Sequence, residues 1–158
     1  MIEINNLTTN QVDENFLRRT AKIILEGESS FAKAIEDKVK KEVDVSIAFV
    51  GQGRMREINK RYRGKNRVTD ILSFFESKVL LQKFKVGPTQ KIQGLGEIII
   101  CLSEVKKNAK KFNSSFEKEL NRVLIHGILH LLRYDHEKSD EEARKMEEKE
   151  KYYFSKIF

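Results

Sequence analysis

The 158-residue sequence has one cysteine, one proline and no tryptophan. Because Cys101 has no cysteine partner, the chain can form neither an internal disulfide nor a cysteine-rich zinc site, and it suits a reducing compartment. No apolar run approaches the roughly 20 residues that a membrane-spanning helix needs. The N-terminal residues 1–6 lack the basic and apolar regions of a signal peptide. We therefore expect a cytoplasmic protein that makes no contact with a membrane.

The composition favours one globular domain with an anionic partner. Hydrophobic residues make up 39% of the chain and charged residues 35%, which is typical of a folded and hydrophilic protein. Because the chain shows no internal repeat and no low-complexity linker, we predict a single domain over residues 1–158. The net charge of +7 is compatible with nucleic acid as a partner. Seven basic residues and one acidic residue lie between Arg54 and Arg67, which concentrates the positive charge in one segment.

Apolar periodicity predicts an α+β fold with about four strands in a mixed sheet that is packed with helices. Strands are predicted at residues 2–7, 42–50, 69–75 and 97–102. Helices are predicted at residues 13–26, 54–62, 103–112 and 114–132, and from residue 139 to the C-terminus. Residues 31–41 continue the first helix or form another, and residues 76–96 form an excursion between two strands. Ser103 is expected to cap one helix, and capping boxes starting at Ser114 and Ser139 begin the last two.

All three histidines of the chain fall within eleven residues, at His126, His130 and His136. On a helix, His126 and His130 lie one turn apart on the same face. His136 joins them if the helix ends soon after Leu132 and the chain folds back. The segment 123–132 is otherwise apolar nearly all round, which predicts a buried central helix carrying these residues. The alternative is a set of core histidines with hydrogen-bonded partners, but three together favour a metal site.

Three histidines with one open position are the usual ligands of a catalytic zinc ion. Nickel or copper is compatible with the same ligands, because imidazole does not select strongly between these metals. Zinc peptidases place a glutamate directly after the first histidine as general base, and Gly127 occupies that position here. This counts against peptide hydrolysis and leaves room for a close approach by backbone or ligand. Asp135 is either an acceptor that orients an imidazole or a solvated turn residue.

Three segments resemble the YbeY family of bacterial metal-dependent endoribonucleases and ribosomal-RNA maturation factors. The family signature H-G-x-L-H-L-x-G-Y-D-H is similar to His126–His136. The family block L-N-x-x-Y-R-x-K-D-x-P-T-D-V-L-S-F is similar to Ile58–Phe74, and a shorter block, G-D-I-x-I, is similar to the residues around Glu97. Two residues depart mildly from these blocks, since Val68 replaces a proline and Glu97 an aspartate. Arg133 replaces a glycine, so that either its φ is positive at a cost of about 1 kcal/mol or the turn differs slightly.

The resemblance implies a single α+β domain with a zinc ion on the three histidines and action on RNA. Arg63 falls on the family's functional arginine, so that it would bind the scissile phosphate beside His126, the other catalytic candidate. The neighbouring basic residues would bind the RNA backbone with little sequence readout, and they are Arg54, Arg56, Arg61, Lys65 and Arg67. The nucleophile is either the 2′-hydroxyl of the RNA or a water activated by the metal.

The expected function is therefore a zinc-dependent endoribonuclease that acts in maturation of the 3′ end of small-subunit ribosomal RNA and in ribosome quality control. Expected partners are ribosomal RNA and the small ribosomal subunit or its proteins, and no DNA is expected. One alternative is a non-catalytic ribosome assembly factor in which the metal is structural. Another is a metal-dependent hydrolase that acts on a different substrate.

Overall fold

A computed structural model describes residues 1–28, 45–75 and 95–158, and these residues form four strands and five helices. The strands are β1 (Ile2–Asn6), β2 (Val45–Val50), β3 (Ile71–Phe75) and β4 (Gly96–Cys101). The helices are α1 (Glu14–Gly27), α2 (Gln52–Arg63), α3 (Leu102–Lys111), α4 (Phe116–Leu131) and α5 (Asp140–Ile157). The predictions for residues 31–41 and for most of the excursion at 76–96 lie outside the described residues.

The strands form a mixed sheet in the order β1-β2-β4-β3. β1 pairs with β2 and β2 with β4 in parallel, whereas β3 pairs with β4 in antiparallel orientation. Every residue of β2 and β4 is buried, which explains why these two strands are largely apolar without a strict alternation. The arrangement confirms the predicted α+β fold with a four-stranded mixed sheet.

Helices cover both faces of this sheet. On one face, β2 and β4 pack against α1, α3, α4 and α5 through the main core, which includes Ile47, Phe49, Ile98 and Ile100. On the other face, Ile99 and Cys101 pack with residues of α2 in a smaller core that includes Met55 and Ile58. Since α2 carries the basic segment and α4 carries two of the histidines, the two candidate functional segments begin on opposite faces of one sheet.

The central helix α4 approaches the sheet closely at Gly127. A Cβ atom at this position would lie 2.5 Å from Cδ1 of Ile71 and 3.2 Å from Cγ2 of Ile98. The hydroxyl of Ser73 donates a hydrogen bond to the Gly127 carbonyl at 3.3 Å, which joins α4 to β3. The missing side chain of Gly127 therefore makes room for the side chains of Ile71 and Ile98 on the sheet, rather than for the backbone or the ligand that the sequence suggested.

Ser139 is confirmed as the N-cap of α5, whereas the N-cap of α4 lies one residue later than predicted. Ser139 accepts a hydrogen bond from the Glu142 amide at 3.1 Å at the start of α5. In α4 the N-cap is Ser115, which accepts from the Lys118 amide at 3.2 Å, so Ser114 lies outside the helix. Adjacent serines offer the same hydroxyl, and the sequence alone did not distinguish between the two registers.

The prediction that Ser103 caps α3 is also wrong. α3 begins at Leu102, directly after β4, and its N-cap Cys101 makes no side-chain cap hydrogen bond. Ser103 is therefore inside the helix, with its hydroxyl 3.3 Å from the Cys101 sulfur. The strand continues into the helix without the loop that a capping serine would require.

We predict that Gly127→Ala will lower the free energy of unfolding by about 1–3 kcal/mol, because the new methyl group overpacks the contact between α4 and β3. Urea unfolding followed by circular dichroism measures the change. Gly53→Ala is the matched control, since a Cβ atom there meets nothing within 4 Å. It should leave stability unchanged or raise it by up to about 1 kcal/mol. A Gly127→Ala variant as stable as the wild type would contradict this packing.

Candidate metal centre

The three histidines converge on one point. His126 and His130 project from adjacent turns of α4, and their Nε2 atoms lie 3.1 Å apart. One ring nitrogen from each of His126, His130 and His136 lies within 4.8 Å of the others. Two nitrogens of a tetrahedral zinc site with bonds of about 2 Å lie about 3.3 Å apart. The donor set and the spacing therefore fit a single divalent ion.

His136 reaches the pair because the chain reverses directly after α4. The Arg133 amide donates to the His130 carbonyl and the Tyr134 amide to the Leu129 carbonyl, both at 3.0 Å. Arg133 has a φ of 73°, the left-handed conformation that commonly ends a helix and that glycine adopts most easily. The turn thus keeps its geometry with an arginine in place of the glycine that the family signature has.

A carboxylate from α5 orients His126. Nδ1 of His126 lies 2.6 Å from Oε1 of Glu150, where the imidazole can donate its proton to the carboxylate. This tautomer leaves the lone pair on Nε2, the nitrogen that faces His130. Glu150 was not predicted for this role from the sequence. Asp135, which was one candidate for it, accepts a hydrogen bond from the Glu137 amide at 2.9 Å.

His130 is held in the neutral form that binds a metal. Burial lowers the pKa of His130 below its ordinary value, and the neighbouring His126 and His136 lower it further. A hydrogen bond to the Tyr134 backbone and the charge of Asp135 act in the opposite direction and are outweighed. Metal ligation requires a free nitrogen lone pair, so this shift favours binding at neutral pH.

A second carboxylate, Glu28, holds the turn between α4 and His136 through a hydrogen bond to Tyr134. Its Oε2 accepts a hydrogen bond from the Tyr134 hydroxyl at 2.9 Å, and its Oε1 accepts from Lys149 at 2.7 Å and from the Tyr153 hydroxyl at 2.6 Å. Burial would raise the pKa of Glu28, but these three hydrogen bonds outweigh it and the pKa falls below its ordinary value. Glu28 therefore connects the end of α1 and two residues of α5 to the turn that carries His136.

The histidines line a cleft of about 600 Å³ together with part of the basic segment. Arg63, Lys65 and Arg67 all contribute to its wall. Nη2 of Arg63 donates to the Ser73 carbonyl at 2.7 Å, and its guanidinium carbon lies 5.1 Å from the centroid of the Phe74 ring. These contacts hold Arg63 against β3, the strand beside the cleft.

The structure separates the predicted RNA-binding residues into two groups. Lys65 and Arg67 lie in the cleft with Arg63, whereas Arg54, Arg56 and Arg61 are exposed on α2 and do not line it. Sequence reasoning missed Asn59, which is buried and donates from Nδ2 to the Arg67 carbonyl at 2.8 Å. This hydrogen bond fixes the loop after α2. Thr69 and Asp70 are further polar residues in the wall of the cleft that were not predicted as site residues.

A family model described as Endoribonuclease YbeY matches residues 3–157. The chain belongs to this family. YbeY proteins are endoribonucleases, so the family is one of enzymes that hydrolyse RNA. The resemblance found in the three sequence segments is thereby confirmed.

Curated YbeY relatives are similar over most of the chain. A protein of Thermodesulfovibrio yellowstonii is 49% identical over 115 residues, which are 72% of this chain and 66% of that relative, or about two thirds of its length. A protein of Thermotoga maritima is 39% identical over 78% of this chain and 76% of its own. A protein of Staphylococcus saprophyticus is 35% identical over 86% of this chain and 83% of its own length. All three carry the name Endoribonuclease YbeY.

A solved structure shares the fold. The solution structure of a Thermotoga maritima protein matches this chain with a TM-score of 0.57 and 34% sequence identity. The match covers 99% of this chain and 89% of that protein. Within the described residues, none of the helices has the length and apolar character needed to cross a membrane.

We predict that Glu150→Gln will weaken zinc binding roughly 10- to 100-fold, because the amide orients His126 less firmly and makes its Nε2 a poorer donor. Competition with a chromophoric chelator measures the affinity. Glu147→Gln is the matched control, since Glu147 is an exposed residue of the same helix paired with Lys151. Equal zinc affinities for the two variants would show that Glu150 does not support the centre.

We also predict that Glu28→Gln will lower stability more at pH 7 than at pH 3. Folding lowers the pKa of Glu28 below its ordinary value of 4.5, so its stabilising effect is present above that pH and is lost as the pH falls through the folded pKa. Urea unfolding of wild type and variant across this range gives the difference. Glu26→Gln, which changes an exposed carboxylate in the last turn of α1, should show a smaller effect. A difference for Glu28→Gln that does not vary with pH would contradict the prediction.

Proposed function

We propose that this chain is a zinc-dependent endoribonuclease in which His126, His130 and His136 hold the ion. The observation that carries the proposal is the position of the three imidazoles in the wall of a cleft that also presents Arg63, Lys65 and Arg67. Nickel or copper could occupy the same nitrogens. The family match over residues 3–157 supports one functional domain that spans residues 1–158.

The open side of the cluster supports a catalytic rather than a structural ion. Structural zinc sites are closed by four protein ligands, whereas catalytic sites keep a position for water or substrate. In the part of the chain that the structure describes, the cluster offers three ligand side chains, and His136 is exposed. A purely structural role, as in a non-catalytic assembly factor, is therefore the weaker interpretation.

Each protein group has a distinct task in the proposed reaction. A zinc ion on three neutral imidazoles keeps its full dipositive charge and supplies Lewis-acid activation of a water or of a phosphate oxygen. The Arg63 guanidinium binds the scissile phosphate and offsets the charge that develops on it. Glu150 keeps His126 in the tautomer that has its lone pair on Nε2. The attacking oxygen comes from the RNA 2′-hydroxyl or from water, and a cyclic phosphate product would identify the former.

The basic residues define how RNA is held. Lys65 and Arg67 bind phosphates within the cleft, and Arg54, Arg56 and Arg61 extend the positive surface along α2. Such contacts give affinity that falls with salt and carries little sequence information. The proposed substrate is ribosomal RNA, with maturation of the small-subunit 3′ end and ribosome quality control as the processes. The small ribosomal subunit or its proteins are the proposed partners, and the cytoplasm is the proposed location, without a role for DNA.

We predict that His126→Ala and Arg63→Glu will each lower kcat/KM for RNA cleavage by on the order of 100-fold or more. The first removes a ligand and the second removes the phosphate-binding cation. Cleavage of ribosomal RNA by the zinc-loaded protein measures both. Lys22→Glu is the control. It reverses one positive charge as Arg63→Glu does, although it starts from a lysine, and it lies at an exposed site of α1 outside the cleft.

Contaminating nuclease is the main hazard of this assay, so all variants are purified identically and tested with and without a chelator. Unchanged cleavage by a folded, metal-free His126→Ala protein would refute the proposed function. A loss confined to Arg63→Glu is one form of that outcome, because cleavage would then need the phosphate-binding cation but not the metal centre.

A further inference from the structure

An exposed aromatic ring lies in the wall of the proposed catalytic cleft. Phe75 is the last residue of β3, it is 39% exposed, and it lines the cleft together with the three histidines. A single exposed phenylalanine is ordinary on a protein surface. This one differs in its location and in its neighbour, Arg133, whose guanidinium carbon lies 4.2 Å from the centroid of the ring.

The backbone of Arg133 does not explain why an arginine is there. Its φ of 73° lies in the left-handed region, which glycine adopts without strain and which disfavours a residue with a Cβ atom. The turn that brings His136 to the metal centre needs this conformation but not this side chain. A strained residue at a functional site suggests that the side chain has a use of its own. The side chain is exposed, lines the cleft and lies over Phe75.

Two arginines flank the end of β3 in the same manner. The guanidinium carbon of Arg63 lies 5.1 Å from the Phe74 ring, and that of Arg133 lies 4.2 Å from the Phe75 ring. Successive side chains of a strand point to opposite sides, so one arginine lies on each side of the strand. Arg63 is the proposed phosphate ligand. A flat guanidinium supported by an aromatic ring is suited to a different part of a nucleotide, the base.

We propose that Phe75 and Arg133 form a subsite on which one unstacked nucleobase of the RNA rests beside the phosphate held by Arg63. This inference rests on the proposed function and adds a contact to one base to the phosphate contacts described above. Stacking on aromatic and guanidinium planes tolerates any base, so the subsite adds affinity for RNA without reading its sequence.

The test is equilibrium binding of a fluorescent, fully 2′-O-methylated single-stranded RNA octamer, which keeps every base and phosphate, to the zinc-loaded protein. Phe75→Leu and Arg133→Gly should each weaken binding by on the order of tenfold, the effect of losing one stacked base. Arg133→Lys keeps the charge without the plane and should fall between wild type and Arg133→Gly, whereas Phe75→Trp should restore binding. The control is Phe112→Leu, because Phe112 is 58% exposed with Lys111 over its ring but lies outside the cleft.

Octamers with one abasic position, moved along the strand, identify the base. With the abasic site at one particular position, the octamer should bind the wild type as weakly as the intact octamer binds Phe75→Leu. Combining that abasic octamer with Phe75→Leu should cause no further loss of affinity. The subsite would be overturned if the losses from the abasic position and from Phe75→Leu were additive at every position. It would also be overturned if all of the cleft variants bound the intact octamer as tightly as the wild type. Thermal unfolding of Arg133→Gly should show an unchanged or higher melting temperature, which separates lost binding from lost folding.

The binding and cleavage measurements test the subsite and the proposed nuclease activity separately. If the coupling is found but the wild type does not cleave RNA, the subsite stands and the proposed nuclease activity falls. If the wild type cleaves RNA but shows no coupling, the activity stands and the subsite falls. Failure of the wild type to bind the octamer at all would overturn the subsite.

Discussion

The packing of α4 against the sheet is the constraint on which the metal centre depends. Gly127 has no side chain, so the helix backbone lies directly against Ile71 and Ile98. This contact fixes the rotation of the helix and therefore the direction in which His126 and His130 project. Because the helix is buried along most of its length, the two imidazoles cannot move apart without disturbing the core.

The last helix supports the centre through consecutive residues. Glu150 contacts His126 on α4, whereas Lys149 contacts Glu28, which in turn accepts a hydrogen bond from Tyr134. Glu150 thus orients His126 directly, and Lys149 supports the turn that leads to His136 through Glu28 and Tyr134. Such outer contacts determine whether imidazoles are already in place when a metal arrives, since flexible ligands must be ordered at the cost of binding energy.

The sequence was most informative where local rules apply. Helical spacing placed His126 and His130 one turn apart on the same face. The family signature left open a left-handed Arg133 or an altered turn, and the φ of 73° shows the former. Alternation and apolar runs located all four strands to within a few residues. The boundaries failed where neighbouring residues compete for one role, as with Ser114 and Ser115, or where a strand passes into a helix without a loop, as at Ser103.

Contacts between distant segments were not predictable in this way. Glu28 and Tyr134 are 106 residues apart, and no periodicity relates them. Glu150 did leave a signal, since its spacing places it on the same face of α5 as the buried Met146 and Tyr153, but that spacing does not show which residue it contacts. The division of the basic segment also needed the structure, because the loop after α2 turns Lys65 and Arg67 into the cleft while Arg54, Arg56 and Arg61 stay on the helix surface.

X-ray absorption spectroscopy at the zinc edge tests most directly the claim that three histidines hold one ion with an open position. The account predicts one zinc per chain, with three imidazole nitrogens and one further oxygen at about 2 Å. Addition of an unreactive dinucleotide should leave the three imidazoles in place. A shell with a sulfur ligand, with fewer than three imidazoles, or with a fourth protein ligand in place of the oxygen would contradict it.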